Sequence, residues 1–198
     1  MPSIAHSVDI KESDLLKIDS ELLSILLKDN TTGKNILWAT DDYEPISAKN
    51  QIQIAQVTGT NSNRIRPRIQ KQKDEQQSRT RNKAEVFTPS WICNAQKNLI
   101  DEAWFGEKNV FNNTGENGKS WHAGKNKIAF STDIQSGKTW QDYVKLMRLE
   151  ITCGEAPYLV SRYDTVSGKH IKLFERIGLL DRKMRVVCEN AENESDYF

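Results

Sequence analysis

Apolar residues recur at helical spacing in three stretches and alternate in only one. Over residues 14–28 the positions Leu15, Leu16, Ile18, Leu22, Leu23, Ile25 and Leu26 are apolar, which predicts one amphipathic helix. Asn30, Thr31, Thr32 and Gly33 then form a turn signal. Residues 36–39 are a short strand candidate. Residues 51–57 alternate weakly through Ile52 and Ile54, with Ala55 blurring the period, and read as a second strand. Residues 85–87 can be extended, with Thr88 as helix cap and Pro89 at the first helical position, where its missing N–H costs nothing. Trp91, Ala95, Leu99 and Ile100, with Ile92, Ala103 and Trp104 nearby, then predict an amphipathic helix over 91–104.

Residues 106–137 are rich in Asn, Gly, Lys and Ser and read as a long loop or hairpin anchored by Trp121 and Phe130. Contact with DNA is one reading of this loop, and a surface excursion is the other. A short helix follows over 139–148, with Thr139 as cap and Asp142 three residues on as a weak capping box. Trp140, Tyr143, Val144 and Met147 supply its apolar face. Residues 147–152 then read as a short, partly buried strand that ends in a turn at Gly154, a residue suited to positive φ. In 171–187, Leu173, Ile177, Leu179 and Leu180 are candidates for packing, and Arg182, Lys183 and Arg185 for solvent or DNA. The acidic stretch 190–198 is expected to fray.

Two of these places suit a ligand. A helix start with free N–H groups favours a carboxylate or phosphate, although an ordinary capped helix has the same sequence. A glycine turn at the carboxyl end of a strand allows close approach of a ligand, and Glu150 and Glu155 are carboxylates suited to an amine or a ribose hydroxyl. One glycine is much weaker than a full Gly-x-Gly-x-x-Gly, and the bland reading is a strand, a turn and a loop.

The two runs together carry a resemblance. Glu85-Val86-Phe87-Thr88-Pro89 resembles the motif that opens amino-group adenine DNA methyltransferases of the type I modification-subunit kind. Leu149-Glu150-Ile151-Thr152-Cys153-Gly154-Glu155-Ala156-Pro157-Tyr158-Leu159 resembles the first cofactor motif of the same family, Leu-Asp-Pro-x-Cys-Gly-x-Gly-x-Phe-Leu. The order agrees. From about Leu15 to Val187 the chain looks like the N-terminal half of bacterial proteins called restriction endonuclease subunit M. The resemblance implies an α/β fold: a partial Rossmann-like methyltransferase domain preceded by a helical N-terminal region. It implies three parts, a helical or mixed region at 1–63, a basic connector at 64–84 and the start of the methyltransferase domain at 85–198. It also implies S-adenosylmethionine as cofactor, with Phe87, Thr88 and Pro89 lining its methionine end and Glu150, Thr152, Gly154 and Glu155 its other side.

The chain departs from that pattern. Glu150 stands at the usual aspartate, and Ala156 or Pro157 at the second glycine; a proline there stiffens the loop and removes a donor. None of the five prolines begins the family's Asn/Asp/Ser-Pro-Pro-aromatic motif. No second strand with its terminal acid is legible after Tyr158. The expectation is therefore the first part of an adenine methyltransferase, inactive alone, whose partners are DNA and a complementary methyltransferase fragment or restriction subunit. The competing expectation is a non-catalytic DNA-binding or assembly subunit. No catalytic residue is assigned, and a nuclease has little support, because no Asp…Glu-x-Lys cluster sits on a strand pair.

Charge narrows this. With 28 Lys+Arg against 27 Asp+Glu, the 198-residue chain is not a strongly basic nucleic-acid binder as a whole. Its basic residues gather in 64–83. There Arg64, Arg66 and Arg68 alternate, so an extended backbone would present three guanidinium forks on one face; with Lys71 and Lys73 they are candidates for salt-dependent phosphate contact. A solvated connector is the alternative. The three cysteines are widely spaced and lie away from the three histidines, which argues against a disulfide framework and a zinc site. No apolar run approaches a membrane span and no signal peptide is evident, so a cytoplasmic location is expected.

Overall fold

The computed structural model describes residues 10–149, 154–193 and 196. The chain forms two compact units, Met1–Lys71 and Gln72–Phe198. The division falls within the stretch expected to act as a connector. Among the described residues the secondary structure is mixed, helices with one small two-stranded sheet.

In the first unit, the helix expected over 14–28 is two helices, α1 (Glu12–Ile18) and α2 (Leu22–Leu27). Asp19 breaks it: its backbone is extended, and its carboxylate accepts from the Glu21 N–H at 2.7 Å. Aspartate competes in this way with helical backbone hydrogen bonds. The break turns Leu23 and Leu27 inward and leaves Ile18, Ile25 and Leu26 exposed. The two expected strands meet in a single isolated bridge rather than a ladder, Leu37 to Gln51, and a second bridge joins Lys28 to Asn35. After Gln51 the chain winds into a 3₁₀ turn at Ile54–Gln56, closed by a capping box between Gln53 and Gln56. The Gln56 amide also accepts from the Trp38 indole N–H at 3.1 Å. Leu23, Leu27, Trp38, Ile46, Ile52 and Val57 form the core of this unit.

The second unit begins with α3 (Lys73–Lys83), which buries no residue and ends at Ala84 in the left-handed region, φ 52°. Arg79 clamps the following Glu85, its Nε lying 2.8 and 2.9 Å from the two carboxylate oxygens. Next comes α4 (Ser90–Phe105), stopped by Gly106 at φ 81°. A hairpin of β1 (Asn112–Thr114) and β2 (Trp121–Ala123) pairs antiparallel, with Asn113 opposite His122. Then follow α5 (Trp140–Lys145) and α6 (Leu179–Asn190). The Thr139–Asp142 capping box of α5 forms as expected, with both reciprocal bonds present. Phe111, Ile128, Tyr143 and Val186 are the buried centre of the second unit, and Trp104, Phe105 and Phe130 pack edge-on or tilted around Tyr143.

Two expectations are corrected here. Helix α4 does not bury the stripe read from its sequence: Leu99 and Ile100 are exposed, while Cys93, Asn94, Lys97 and Asp101 are buried. The cause is Arg182, expected to face outward from α6 but only 1% exposed. Its guanidinium pairs with the Asp101 carboxylate and donates to Asn94 at 3.0 Å and Asn98 at 2.7 Å. Arg148 and the Tyr143 hydroxyl reach the other Asp101 oxygen, at 3.1 and 3.0 Å, and Asn112 ties Asn94 to the hairpin at 2.8 Å. A buried guanidinium needs acceptors, so the helix turns its polar face to it. Lys183 and Arg185 are likewise engaged within the protein, on the carbonyls of Leu146 at 2.8 Å and of Phe111 and Gly124 at 2.9 and 3.0 Å.

The strand expected over 147–152 is irregular at residues 147–149, where Met147 and Leu149 are exposed; 150–152 lie outside the described residues. Leu173, expected to pack, is exposed in a 3₁₀ turn at Leu173–Glu175, and Leu180 is exposed on α6, whereas Ile177 and Leu179 are buried. Among the described residues, no helix is long and apolar enough to cross a membrane.

Candidate functional site

The start of α4 and the turn at Gly154 meet. Gly154 has φ +70°, and a Cβ built on it would stand 2.8 Å from Phe87 Cε1. The Phe87 ring therefore stands in the space that a side chain at 154 would occupy, and glycine at positive φ allows so close an approach. Of the expected cofactor residues, Phe87, Thr88, Pro89, Gly154 and Glu155 are described; Glu150 and Thr152 lie outside the described residues.

The helix start differs in detail from its expected form. Pro89, at φ −57°, is the cap residue and α4 begins at Ser90, one position later than the sequence suggested. Thr88 makes no capping bond; its carbonyl accepts instead from the Thr165 hydroxyl at 3.2 Å. Proline at the cap places its fixed φ just outside the helix and leaves Ser90 with the first free N–H.

That N–H is taken. The Asp164 carboxylate, 74 positions away, accepts from Ser90 N at 2.7 Å. Its other oxygen accepts from the Val166 and Ser167 N–H groups at 3.1 and 2.7 Å and from the Ser167 hydroxyl at 2.8 Å. Burial works to raise the Asp164 pKa, but the backbone donors of Ser90 and Ser167 and the serine hydroxyls prevail and hold it below the ordinary carboxylate value. An internal carboxylate thus sits where a ligand carboxylate or phosphate was expected, a site that suits it on dipole grounds as well. Glu155, expected to meet a ligand amine or hydroxyl, accepts from the Tyr163 hydroxyl at 2.8 Å.

Below these residues, burial pushes the Cys93 thiol up, and the Tyr158 hydroxyl bonds to the Gln96 amide. Burial, helped by the Arg148 and Arg182 charges, lowers the Lys97 ammonium to about 8. Its Nζ lies 5.9 Å from the centre of the Tyr158 ring.

A cavity of about 480 Å³ opens beside the helix start. Pro89, Trp91, Trp121 and His122 of β2, Asp164 and Glu175 are among its lining residues. The Trp121 indole N–H donates to the Glu175 carbonyl at 2.7 Å, which fixes the ring, and His122 Nδ1 lies 3.6 Å from the Glu175 carboxylate. Sequence reading had noted Trp121 only as an anchor and passed over His122. The Asp164-x-x-Ser167-Gly168 turn pattern was visible, but not its bond to a helix so distant in sequence.

The basic candidates are distributed between the units. Arg64, Arg66, Arg68 and Lys71 belong to the first and Lys73 opens α3 in the second. The first three do not lie on an extended strand. Arg64 is in a bend and donates to the Gln56 carbonyl at 2.9 Å, and Arg68 starts a 3₁₀ turn at Arg68–Gln70. Pro67 sets this geometry by fixing φ at −54° between them. Among the described residues, no group of three or more His, Cys, Asp or Glu is placed to hold a metal ion. Comparison with protein-family models, with curated proteins and with solved structures returns no match to this chain.

Proposed function

We propose that residues 85–198 are the cofactor-binding start of an adenine-specific DNA methyltransferase, a partial Rossmann-like domain that binds S-adenosylmethionine. The observation that carries this reading is the contact between Phe87 and Gly154. The two runs that resemble the family's opening and first cofactor motifs are remote in sequence, yet they share one corner. A segment without that role has no reason to hold both at a single point. In this reading Phe87, Thr88 and Pro89 face the methionine end, and Glu150, Thr152, Gly154 and Glu155 the other side. The cofactor supplies the methyl group; this chain's residues bind and orient it, while DNA and a complementary methyltransferase fragment or restriction subunit are the partners. Arg64, Arg66, Arg68, Lys71 and Lys73 would contact DNA phosphates, and the protein would work in the cytoplasm.

The second reading, a non-catalytic DNA-binding or assembly subunit with a degenerate cofactor site, is favoured by one observation. Asp164 already takes the Ser90 N–H that a cofactor carboxylate would use. Calorimetry separates the two. The methyltransferase reading expects S-adenosylmethionine to bind with micromolar affinity and Gly154→Val to weaken it at least tenfold, since the added side chain must displace Phe87. Salt-sensitive DNA binding with no cofactor heat would overturn it in favour of the subunit.

A further inference from the structure

We propose that the cavity between Trp91 and Trp121 is a stacking site for a nucleobase that carries a phosphate, either a free nucleotide or a residue of single-stranded nucleic acid. This inference does not depend on S-adenosylmethionine binding. Its volume of about 480 Å³ falls in the range of small-ligand pockets. The two indoles are half-buried and both line the cavity. Trp121 has its one donor committed to the Glu175 carbonyl at 2.7 Å, so what it offers the cavity is the flat ring. Flat, weakly polar surfaces of this kind accept a base of any sequence.

The charges select the rest of the ligand. Of the two carboxylates among the lining residues, Asp164 is held by the N–H groups of Ser90, Val166 and Ser167, and Glu175 lies 3.6 Å from His122 Nδ1. The lysines are at the rim. Lys119 and Lys169 are exposed and line the opening, and Lys119 Nζ stands 5.8 Å from the centre of the Trp91 ring. A cationic ligand such as a methylated amine would have to displace that ammonium from the indole face. An anionic group gains from both lysines. A planar ring joined to an anion is the description of a nucleotide.

The test is titration of the full chain, by tryptophan fluorescence and calorimetry, with dAMP and separately with a thymidylate single strand of about eight nucleotides. Saturable quenching by dAMP identifies a free-nucleotide site, and quenching by the strand alone identifies a nucleic-acid site; both support the proposal. Trp91→Ala should weaken binding roughly 5- to 100-fold, with Trp91→Phe retaining most of it. Lys119→Gln with Lys169→Gln, both at exposed positions that folding tolerates, should weaken it about fivefold and lower its salt dependence. Gly154→Val should leave nucleotide binding in place whatever it does to S-adenosylmethionine. No saturable quenching by either probe overturns the proposal. So does wild-type affinity in both the lysine pair and Trp91→Ala.

Discussion

Arg182→Ala should destabilise the second unit by about 3–5 kcal/mol, the cost of leaving a buried charge without its partner. The side chain is 1% exposed and lies with its guanidinium 4.9 Å from the centre of the Phe111 ring. Removing it takes one of two cations from Asp101 and the donors from Asn94 and Asn98. Arg148 stays on Asp101, which places the expected cost nearer the lower figure. Urea unfolding followed by tryptophan fluorescence measures it, and a loss below about 1 kcal/mol would contradict the network described.

The second large effect is expected at Gly178. Its φ of −63° is open to any residue, so backbone strain plays no part. The obstacle is the chain passing over it: an added Cβ would stand 2.4 Å from the Leu159 carbonyl oxygen and 2.6 Å from its carbon. That stretch cannot easily move aside. The Leu179 and Leu180 N–H groups donate to the carbonyls of Tyr158 and Leu159 at 2.8 and 3.0 Å, and the Ile177 N–H to the Ser161 hydroxyl at 2.7 Å. Gly178→Ala should therefore cost about 3 kcal/mol, the upper end of the usual overpacking range. Thermal and urea melts check this, and a variant as stable as the parent would show that the 158–161 segment does not cross the start of α6.

Local signals in the sequence located most helices. Pro89 and Gly106 punctuate α4, and the Thr139–Asp142 box opens α5, because caps and stops act within a few residues. The faces were less legible. Leu99 and Ile100 read as core, yet α4 turns Asn94 and Asp101 inward toward an arginine on α6, 81 positions from Asp101. Nothing in an apolar pattern announces a buried guanidinium. Asp19 broke the first helix through its side chain, which competes with helical spacing. Among the described residues, only Asn112, Asn113 and Thr114 pair with 121–123 in a ladder; the runs at 36–39 and 51–57 share a single bridge, too short to show a period. At the site, the two motifs come close at Phe87 and Gly154. The residue that fills the helix tip, Asp164, escaped notice because its partner is set by tertiary contact.

The account rests on one contact, and nuclear magnetic resonance reads it directly. In isotope-labelled protein with both residues assigned, the Phe87 ring protons should give strong nuclear Overhauser cross-peaks to the Gly154 α-protons, and Gly154→Val should abolish them. Ring protons that see no Gly154 neighbour in the folded parent chain would contradict the shared corner and the cofactor reading built on it.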